Sequence, residues 1–289
     1  MLAFRHDMRS WKIILAVSCA LVLSAAYAYA QSPFREYFGI EYGEPPLPPD
    51  WQRPGEWTFA RLMYPQGPND GYGYRDSGDW REGRSEWTQD GPPADRSLAA
   101  AVRRITRIDA RSVGQPINLD EGDDVYNWPW LYAVQVGQWG LTQHEAGVLR
   151  DYLLRGGFFM ADDFHGAYEH RMFEQRMKMV FPNRPIVEIP NNDPIFHTVF
   201  DLDDRYQIPG AEHLRTGYKP PDYPEGVNDG IGAHWQAIYD DKGRIMVAIS
   251  YNSDLGDSWE WSDRADYPEK YSALGFRIGI NYIVYAMTH

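Results

Sequence analysis

The sequence predicts an α/β domain built on a mainly parallel β-sheet. Strand-like and helix-like patterns alternate over residues 57–189, and residues 141–163 (LTQHEAGVLRDYLLRGGFFMADD) contain one complete helix–turn–strand unit. A third observation is the strongly apolar helical pattern of residues 271–288, which needs a sheet to pack on. Strands and helices at this spacing favour parallel pairing with right-handed crossovers.

The first strands and the first helix are predicted before residue 137. Residues 57–64 (WTFARLMY) alternate in polarity and are rich in strand formers, and residues 65–91 form a polar loop of a length that is usually functional or disordered. Pro93 suits the first turn of a helix. The predicted elements are, in chain order, a strand over 57–64, a helix over 94–105, a short strand near 117–119 and a buried strand over 129–136.

The helix that follows has clear start and stop signals. Thr142 and Glu145 form a capping box, and Gly156 supplies the left-handed turn that ends the helix. The remaining predicted elements are a strand over 158–161, a helix over 168–181, a short strand over 186–189, hairpin strands over 234–239 and 244–251, and a last helix over 271–288.

Residues 1–30 are predicted to be a secretory signal peptide. Basic residues precede a short apolar run, residues 13–23, and small residues precede a cut after Ala30. The mature protein is then exported to the periplasm or the extracellular space and keeps no stable membrane span. Two alternatives are an uncleaved anchor and a lipoprotein modified at Cys19, although Cys19 lies in a poor lipobox. Residues 31–54 are predicted to be a Pro-rich linker or strap, and residues 55–289 the α/β domain.

The composition excludes several classes of function. A formal net charge of −13 at pH 7 argues against nucleic acid and anionic lipid as partners, because both need a cationic surface. The single cysteine, Cys19, lies in the predicted signal peptide. The mature chain therefore has no disulfide, no cysteine nucleophile and no thiolate metal site. Its many aromatic residues suit either sugar stacking or core packing.

Six collinear segments resemble a known family. Spanning about residues 57–289, they are FARLMYP, ADRSLAAAVRRITRID, LRDYLLRGGFFMADDFHG, DPIFHTVFDLD, YNSDLGDSWEWSD and FRIGINYIVYAMTH. In these segments the chain resembles the DUF4159 family, a domain of unknown function. The resemblance implies a flavodoxin-like three-layer parallel sheet of the class I glutamine amidotransferase-like type, with a C-terminal hairpin and packing helix. It implies no activity, and the lack of a mature cysteine excludes glutaminase chemistry by a thiolate.

Asp162 and Asp163 are the first candidate catalytic residues, because they follow a predicted buried strand directly. Ligands of open α/β sheets bind outside the carboxyl ends of the strands. A carboxylate there can act as a general base, a nucleophile or a metal ligand, and His165 and Glu169 are close enough in sequence to join it. The alternative is structural: one aspartate caps the next helix and the other pairs with an arginine.

A second acidic segment, residues 252–263 (NSDLGDSWEWSD), also follows a predicted strand. Its spacing is not that of an EF-hand loop. The alternative is a rigid loop with turn-forming aspartates. The candidate ligand-binding residues of this segment are the oxygen donors Asn252, Asp254, Asp257 and Glu260, and Trp259, which with Trp261 would form a stacking platform.

Three further residues are weaker candidates for ligand binding. Asp95 could cap the first helix, and Arg96 could pair with an acidic group at the site, although a plain helix entry explains both. His197 follows a turn, and a lone histidine is more often structural. No zinc-hydrolase motif, phosphate loop or nucleophile elbow is present. No cofactor is predicted, but the acidic segments are compatible with a divalent cation.

Two classes of function follow, and the absence of a thiol and of a catalytic motif favours the first. One is a ligand-binding or assembly module of the cell envelope without thiol chemistry, whose partner is a glycan, a peptide or an envelope protein. The other is a carboxylate-based hydrolase, with or without a divalent metal, acting on a glycan or peptide. Acids that share one pocket favour the hydrolase, whereas an open aromatic rim with separated charges favours the binding module. We predict that Asp162 or Asp163 converges with residues 252–260 at the carboxyl end of the sheet.

Overall fold

A computed structural model describes residues 34–37, 39–43, 45–67, 78–216 and 232–289. Within these residues, the core is one seven-stranded sheet with the strand order β2-β1-β3-β4-β7-β6-β5. The strands are β1 (Ala60–Met63), β2 (Gln115–Asn118), β3 (Trp130–Ala133), β4 (Phe158–Ala161), β5 (Val187–Glu188), β6 (His234–Tyr239) and β7 (Ile245–Tyr251). The predicted signal peptide lies outside the described residues.

Five of the strands are parallel and have a flavodoxin-like order. β2, β1, β3, β4 and β7 all pair in parallel, and the order of strand addition reverses between β1 and β3, which is the switch point of the sheet. This confirms the predicted α/β class. The finer assignment to the glutamine amidotransferase-like type stays a prediction of the resemblance.

The predicted strand over 186–189 has a different role from the one expected. It follows a helix, as a parallel strand would, but β5 pairs antiparallel with β6 at the edge of the sheet. The parallel neighbour of β4 is β7 instead. β6 and β7 form the predicted antiparallel hairpin, so β7 returns in the parallel direction and occupies the place beside β4.

Helices cover both faces of the sheet and make three layers. The helices are α1 (Pro93–Ile105), α2 (Gln143–Leu154), α3 (Gly166–Val180), α4 (Ala211–Thr216), α5 (Leu255–Glu260) and α6 (Glu269–Thr288). Side chains of α1, α5 and α6 share one apolar cluster with one face of the sheet, and those of α2 and α3 share a second cluster with the other face. The last helix therefore packs on the sheet as predicted.

Local signals in the sequence set the ends of α2. The side chain of Thr142 accepts a hydrogen bond from the backbone N–H of Glu145, and the Glu145 carboxylate accepts one from the N–H of Thr142. Gly156, just after the helix, has a φ of 114°, which is open to glycine and costly for other residues. Both features match the sequence prediction.

The Pro-rich segment lies on the domain as a strap. Residues 35–289 form one compact unit. Glu36 pairs with Arg96 of α1 at 3.0 Å, and Asp50 pairs with Arg103 of the same helix at 2.8 Å. No helix among the described residues has the length and apolar character needed to cross a membrane.

Candidate functional site

The carboxyl ends of the parallel strands carry four residues with unusual backbone conformations. Asp90, Gln135, Asp163 and Asn252 have φ values between 49° and 60°, and they are the non-glycine residues with positive φ in the described part of the chain. Asp90 lies between β1 and α1, whereas the other three follow β3, β4 and β7 within two residues. Such conformations cost free energy and often occur at functional sites. All four lie at one rim of the sheet, next to its switch point.

Three aspartates meet at this rim and form the inner triad: Asp90, Asp163 and Asp254. One carboxylate oxygen of each lies within 4.8 Å of the others. The three residues are 0%, 3% and 4% exposed. Both carboxylate oxygens of Asp90 are buried without a hydrogen-bond partner. Burial, followed by repulsion from neighbouring carboxylates, raises the pKa of all three well above the ordinary value of an aspartate.

Asp162 connects the end of β4 to the first turn of α5. Its Oδ2 accepts hydrogen bonds from the Tyr132 hydroxyl at 2.8 Å and from the N–H groups of Leu255 and Gly256 at 2.9 and 3.0 Å. Its Oδ1 is buried without a partner. Burial and repulsion by Asp163 raise the pKa of Asp162 to about 8. Asp162 therefore caps α5, which is distant in sequence, and not the next helix, α3.

Asp163 orients the imidazole of His165. The Nε2 of His165 lies 3.0 Å from Asp163 Oδ1, and Gln135 donates to Asp163 Oδ2 at 2.8 Å. Burial lowers the pKa of His165, so its neutral form is favoured at pH 7. The N–H of His165 donates to Glu169 Oε2 at 2.6 Å, which joins the start of α3 to the same site. The structure thus brings Asp163, His165 and Glu169 together, as the sequence analysis expected.

The second acidic segment converges on the same rim. Asp254 is the N-cap of α5 and accepts a hydrogen bond from the N–H of Asp257 at 2.8 Å. Asp257 in turn accepts from the N–H of Ala211 at 2.6 Å, which holds α4 beside the site. Asn252 accepts from the N–H of Gly166 at 2.9 Å. The predicted convergence of Asp163 with residues 252–260 is present in the structure.

Gly256 makes room for the Asp90 carboxylate in the inner triad. A Cβ at Gly256 would lie 2.0 Å from Asp90 Oδ2 and 2.9 Å from the Tyr132 hydroxyl. No side chain fits between α5 and the Asp90 carboxylate at that distance. Gly256 therefore lets the first turn of α5 pack directly on the carboxylate.

A second group of carboxylates shares Asp90 and lies towards the strap. Oxygens of Glu41, Asp90 and Glu260 also lie within 4.8 Å of one another. Glu41 Oε2 accepts a hydrogen bond from the N–H of Asp90 at 2.8 Å. Glu260 accepts one from the hydroxyl of Tyr42. Burial and repulsion by Glu41 raise the pKa of Glu260 to about 8.

Three of the predicted ligand-binding residues have other roles. Asp95 forms a buried ion pair with Arg61 at 2.5 Å, and Arg96 pairs with Glu36 of the strap. His197 lies 2.8 Å from Asp201 and is not hydrogen-bonded to the triad.

Trp259 is not available as a stacking platform. It is 0% exposed, and its ring lies 5.6 Å from that of Tyr132 in the core. The cause is the backbone: residues 255–260 are helical and not an open loop, so alternating tryptophans do not share one exposed surface.

Several residues of the rim were not predicted to be site residues. Asp90 ends the long polar loop, directly before the Gly-Pro-Pro that opens α1, and its position after β1 was the available signal. No feature of the sequence marked Glu41 as a site residue, because it lies in the Pro-rich strap. Tyr132 and Gln135 both lie in the predicted strand over 129–136, but nothing in the sequence marked them as partners of Asp162 and Asp163.

Comparison with known proteins identifies the family but no activity. A family described as Domain of unknown function (DUF4159) matches residues 76–287, which contain the inner triad but neither β1 nor the strap. No curated protein matches the chain at a significant level. Because the match covers most of its length, the chain belongs to the DUF4159 family.

Proposed function

We propose that this protein is an exported, carboxylate-based hydrolase that binds a divalent cation at the inner triad. The observation that carries this proposal is the Asp90 carboxylate, which is fully buried, lacks hydrogen-bond partners on both oxygens, and lies beside Asp163 and Asp254. A buried cluster of like charges is costly unless protons or a cation compensate it. In the described part of the chain, the triad has no ion pair with lysine or arginine.

The donor chemistry selects the class of cation. Asp90, Asp163 and Asp254 offer hard carboxylate oxygens, and the site has no thiolate. Oxygen-only ligands suit Mg²⁺, Ca²⁺ or Mn²⁺. Such a cation would polarise the bond to be cleaved or lower the pKa of a water molecule.

His165 supplies the base in this proposal. If its Nε2–H donates to Asp163, the other ring nitrogen, Nδ1, is left as a proton acceptor. The pKa lowered by burial keeps the imidazole neutral and therefore able to take a proton from an attacking water. The side chain of His165 is 16% exposed, more than the triad, which suits a group that meets substrate. The substrate class proposed from the sequence is a glycan or a peptide of the cell envelope.

The burial of the triad favours a second candidate function. Ligands that are 0% to 4% exposed also suit a cation that only stabilises the fold. In that case the protein is a ligand-binding or assembly module for a glycan, a peptide or an envelope protein. The two candidates differ in turnover and not in cation binding.

Titration calorimetry with Mg²⁺, Ca²⁺ and Mn²⁺ tests the cation. We expect the wild-type protein to bind at least one of them and to melt at a higher temperature when loaded. Asp90→Asn should bind the cation at least tenfold more weakly, and the control Asp204→Asn, which removes an exposed carboxylate, should keep the wild-type affinity. Absence of binding in the wild type would refute the proposal and leave shared protons as the compensation.

A hydrolysis assay on envelope glycans and peptides then separates the two candidates. For the hydrolase, a chelator abolishes turnover, and His165→Gln lowers it strongly while the cation stays bound. Cation binding without turnover on either substrate class would favour the binding module.

A further inference from the structure

Asp90 is the one residue shared by the two groups of carboxylates at the rim. The inner triad uses one oxygen of Asp90, and the outer triad of Glu41, Asp90 and Glu260 also brings its oxygens within 4.8 Å of one another. Both oxygens of Asp90 are buried and neither has a hydrogen-bond partner. A carboxylate with two such oxygens, placed between two sets of acidic ligands, has the arrangement of a bridging ligand.

The strap holds Glu41 in place for this role. The N–H of Ile40 donates to the hydroxyl of Thr88 at 3.1 Å, and the N–H of Asp90 donates to Glu41 Oε2 at 2.8 Å. On the other side of the group, the hydroxyl of Tyr42 donates to Glu260. These hydrogen bonds hold the carboxylates of Glu41 and Glu260 beside Asp90.

When ionised, the carboxylates of the two groups carry more negative charge than one divalent cation can balance. The two groups together contain five carboxylates: Glu41, Glu260 and the inner triad. In the described part of the chain, none of the five has an ion pair with lysine or arginine, and the buried Arg61 donates instead to Asp95 and to the carbonyl of Gln89. If all five bind as ionised carboxylates, one divalent cation would leave most of their negative charge uncompensated, whereas two would compensate nearly all of it.

We propose that Glu41, Asp90 and Glu260 hold a second divalent cation, with Asp90 bridging it to the first. This inference rests on the proposed cation at the inner triad and extends it to a two-cation centre. Paired cations about 3.5–4 Å apart are found in hydrolases that act on phosphate esters and peptides, where they stabilise the attacking and the leaving oxygen or nitrogen. The strap then contributes directly to the site, because it supplies Glu41.

Mn²⁺ binding, measured by calorimetry and electron paramagnetic resonance, tests the proposal. We expect the wild-type protein to bind two Mn²⁺ per chain and to show the spectrum of an exchange-coupled pair. Glu41→Gln and Glu260→Gln should each bind one ion with an uncoupled spectrum, and Asp90→Asn should bind at least tenfold more weakly at both positions. Glu56→Gln, which removes an exposed carboxylate near the end of the strap, is the matched control and should retain the coupled pair.

The outcomes separate this proposal from the one on which it rests. One Mn²⁺ per chain in the wild type, with no change in Glu41→Gln, would overturn the second site and leave the inner site intact. Two ions without exchange coupling would overturn the bridging role of Asp90. No bound Mn²⁺ would overturn the two-cation centre, and absence of Mg²⁺ and Ca²⁺ binding as well would overturn the proposal on which it rests. Because Glu41 is exposed on the strap, its variant should fold, and circular dichroism of each variant checks that loss of an ion is not loss of structure.

Discussion

Glu86 is a buried carboxylate whose ionisation should lower the free energy of unfolding, because burial and the carboxylates of the rim both oppose its charge. It lies in a short turn before α1, is 1% exposed, and accepts a long hydrogen bond from Gln66 at 3.5 Å. Burial, followed by repulsion from Asp163 and Glu41, raises the pKa of Glu86 from 4.5 to about 7. Replacing Glu86 with glutamine removes the charge and keeps an oxygen for Gln66.

The size and sign of the effect follow from the pKa in the two states. Below about pH 4.5 the carboxyl is protonated in both states, so its charge has no effect on stability. Between about pH 4.5 and 7 the unfolded chain loses the proton first, so the stability of the wild type falls as pH rises. Above pH 7 the full shift applies, and it corresponds to about 3 kcal/mol. Glu86→Gln should therefore be more stable than the wild type by about 1 kcal/mol at pH 5 and about 3 kcal/mol at pH 8.

Urea unfolding of the chelator-treated protein at several pH values checks this prediction. The control is Glu174→Gln, which removes a surface carboxylate paired with Lys178 and should change stability by less than about 0.5 kcal/mol. A loss of stability in Glu86→Gln at every pH, or a difference that does not vary with pH, would refute the reasoning. Either result would mean that Glu86 is charged in the fold without penalty.

Three further predictions concern the surroundings of the site. Arg61→Met should lower the free energy of unfolding by about 3–5 kcal/mol, because it leaves Asp95 buried and unpaired, and the additional change Asp95→Leu should recover much of this loss in urea unfolding. Gly256→Ala should weaken Mn²⁺ binding at least tenfold in calorimetry, because its Cβ would displace the Asp90 carboxylate; unchanged binding would contradict the proposed ligand. Thr142→Ala should cost about 1 kcal/mol in thermal unfolding, because it removes the capping box of α2.

The parts of the fold that were predictable are those with local causes. Thr142 and Glu145 determine the start of α2, and Gly156 its end, through contacts within a few residues. The hairpin of β6 and β7 similarly follows from a short turn between two apolar segments. The position of β7 beside β4 and the antiparallel pairing of β5 depend on contacts between distant segments, which no local pattern in the sequence reveals.

The candidate site also has one part that was predictable from local sequence and one part that depends on tertiary contacts. The meeting of Asp163 and Asp254 was predictable, because each follows a parallel strand and the ends of such strands share one rim. Asp90 and Glu41 reach that rim through a long loop and a Pro-rich strap, whose paths depend on tertiary contacts and have no periodicity. The prediction that Trp259 is part of a stacking platform was wrong, because Trp259 lies in a helix and its ring is buried in the core.

Two costs coincide at the rim, and together they indicate that it binds a ligand. Left-handed conformations at Asp90, Gln135, Asp163 and Asn252 cost about 1–3 kcal/mol each when nothing compensates them. The same conformations place the carboxylates of Asp90 and Asp163 in a buried group of like charges, which adds a second cost. Packing alone would not require either feature, since an apolar residue in place of Asp90 would avoid the cost of burying like charges together. A cation that binds only the folded chain would offset both costs, and so it would couple the stability of the domain to occupancy of the site.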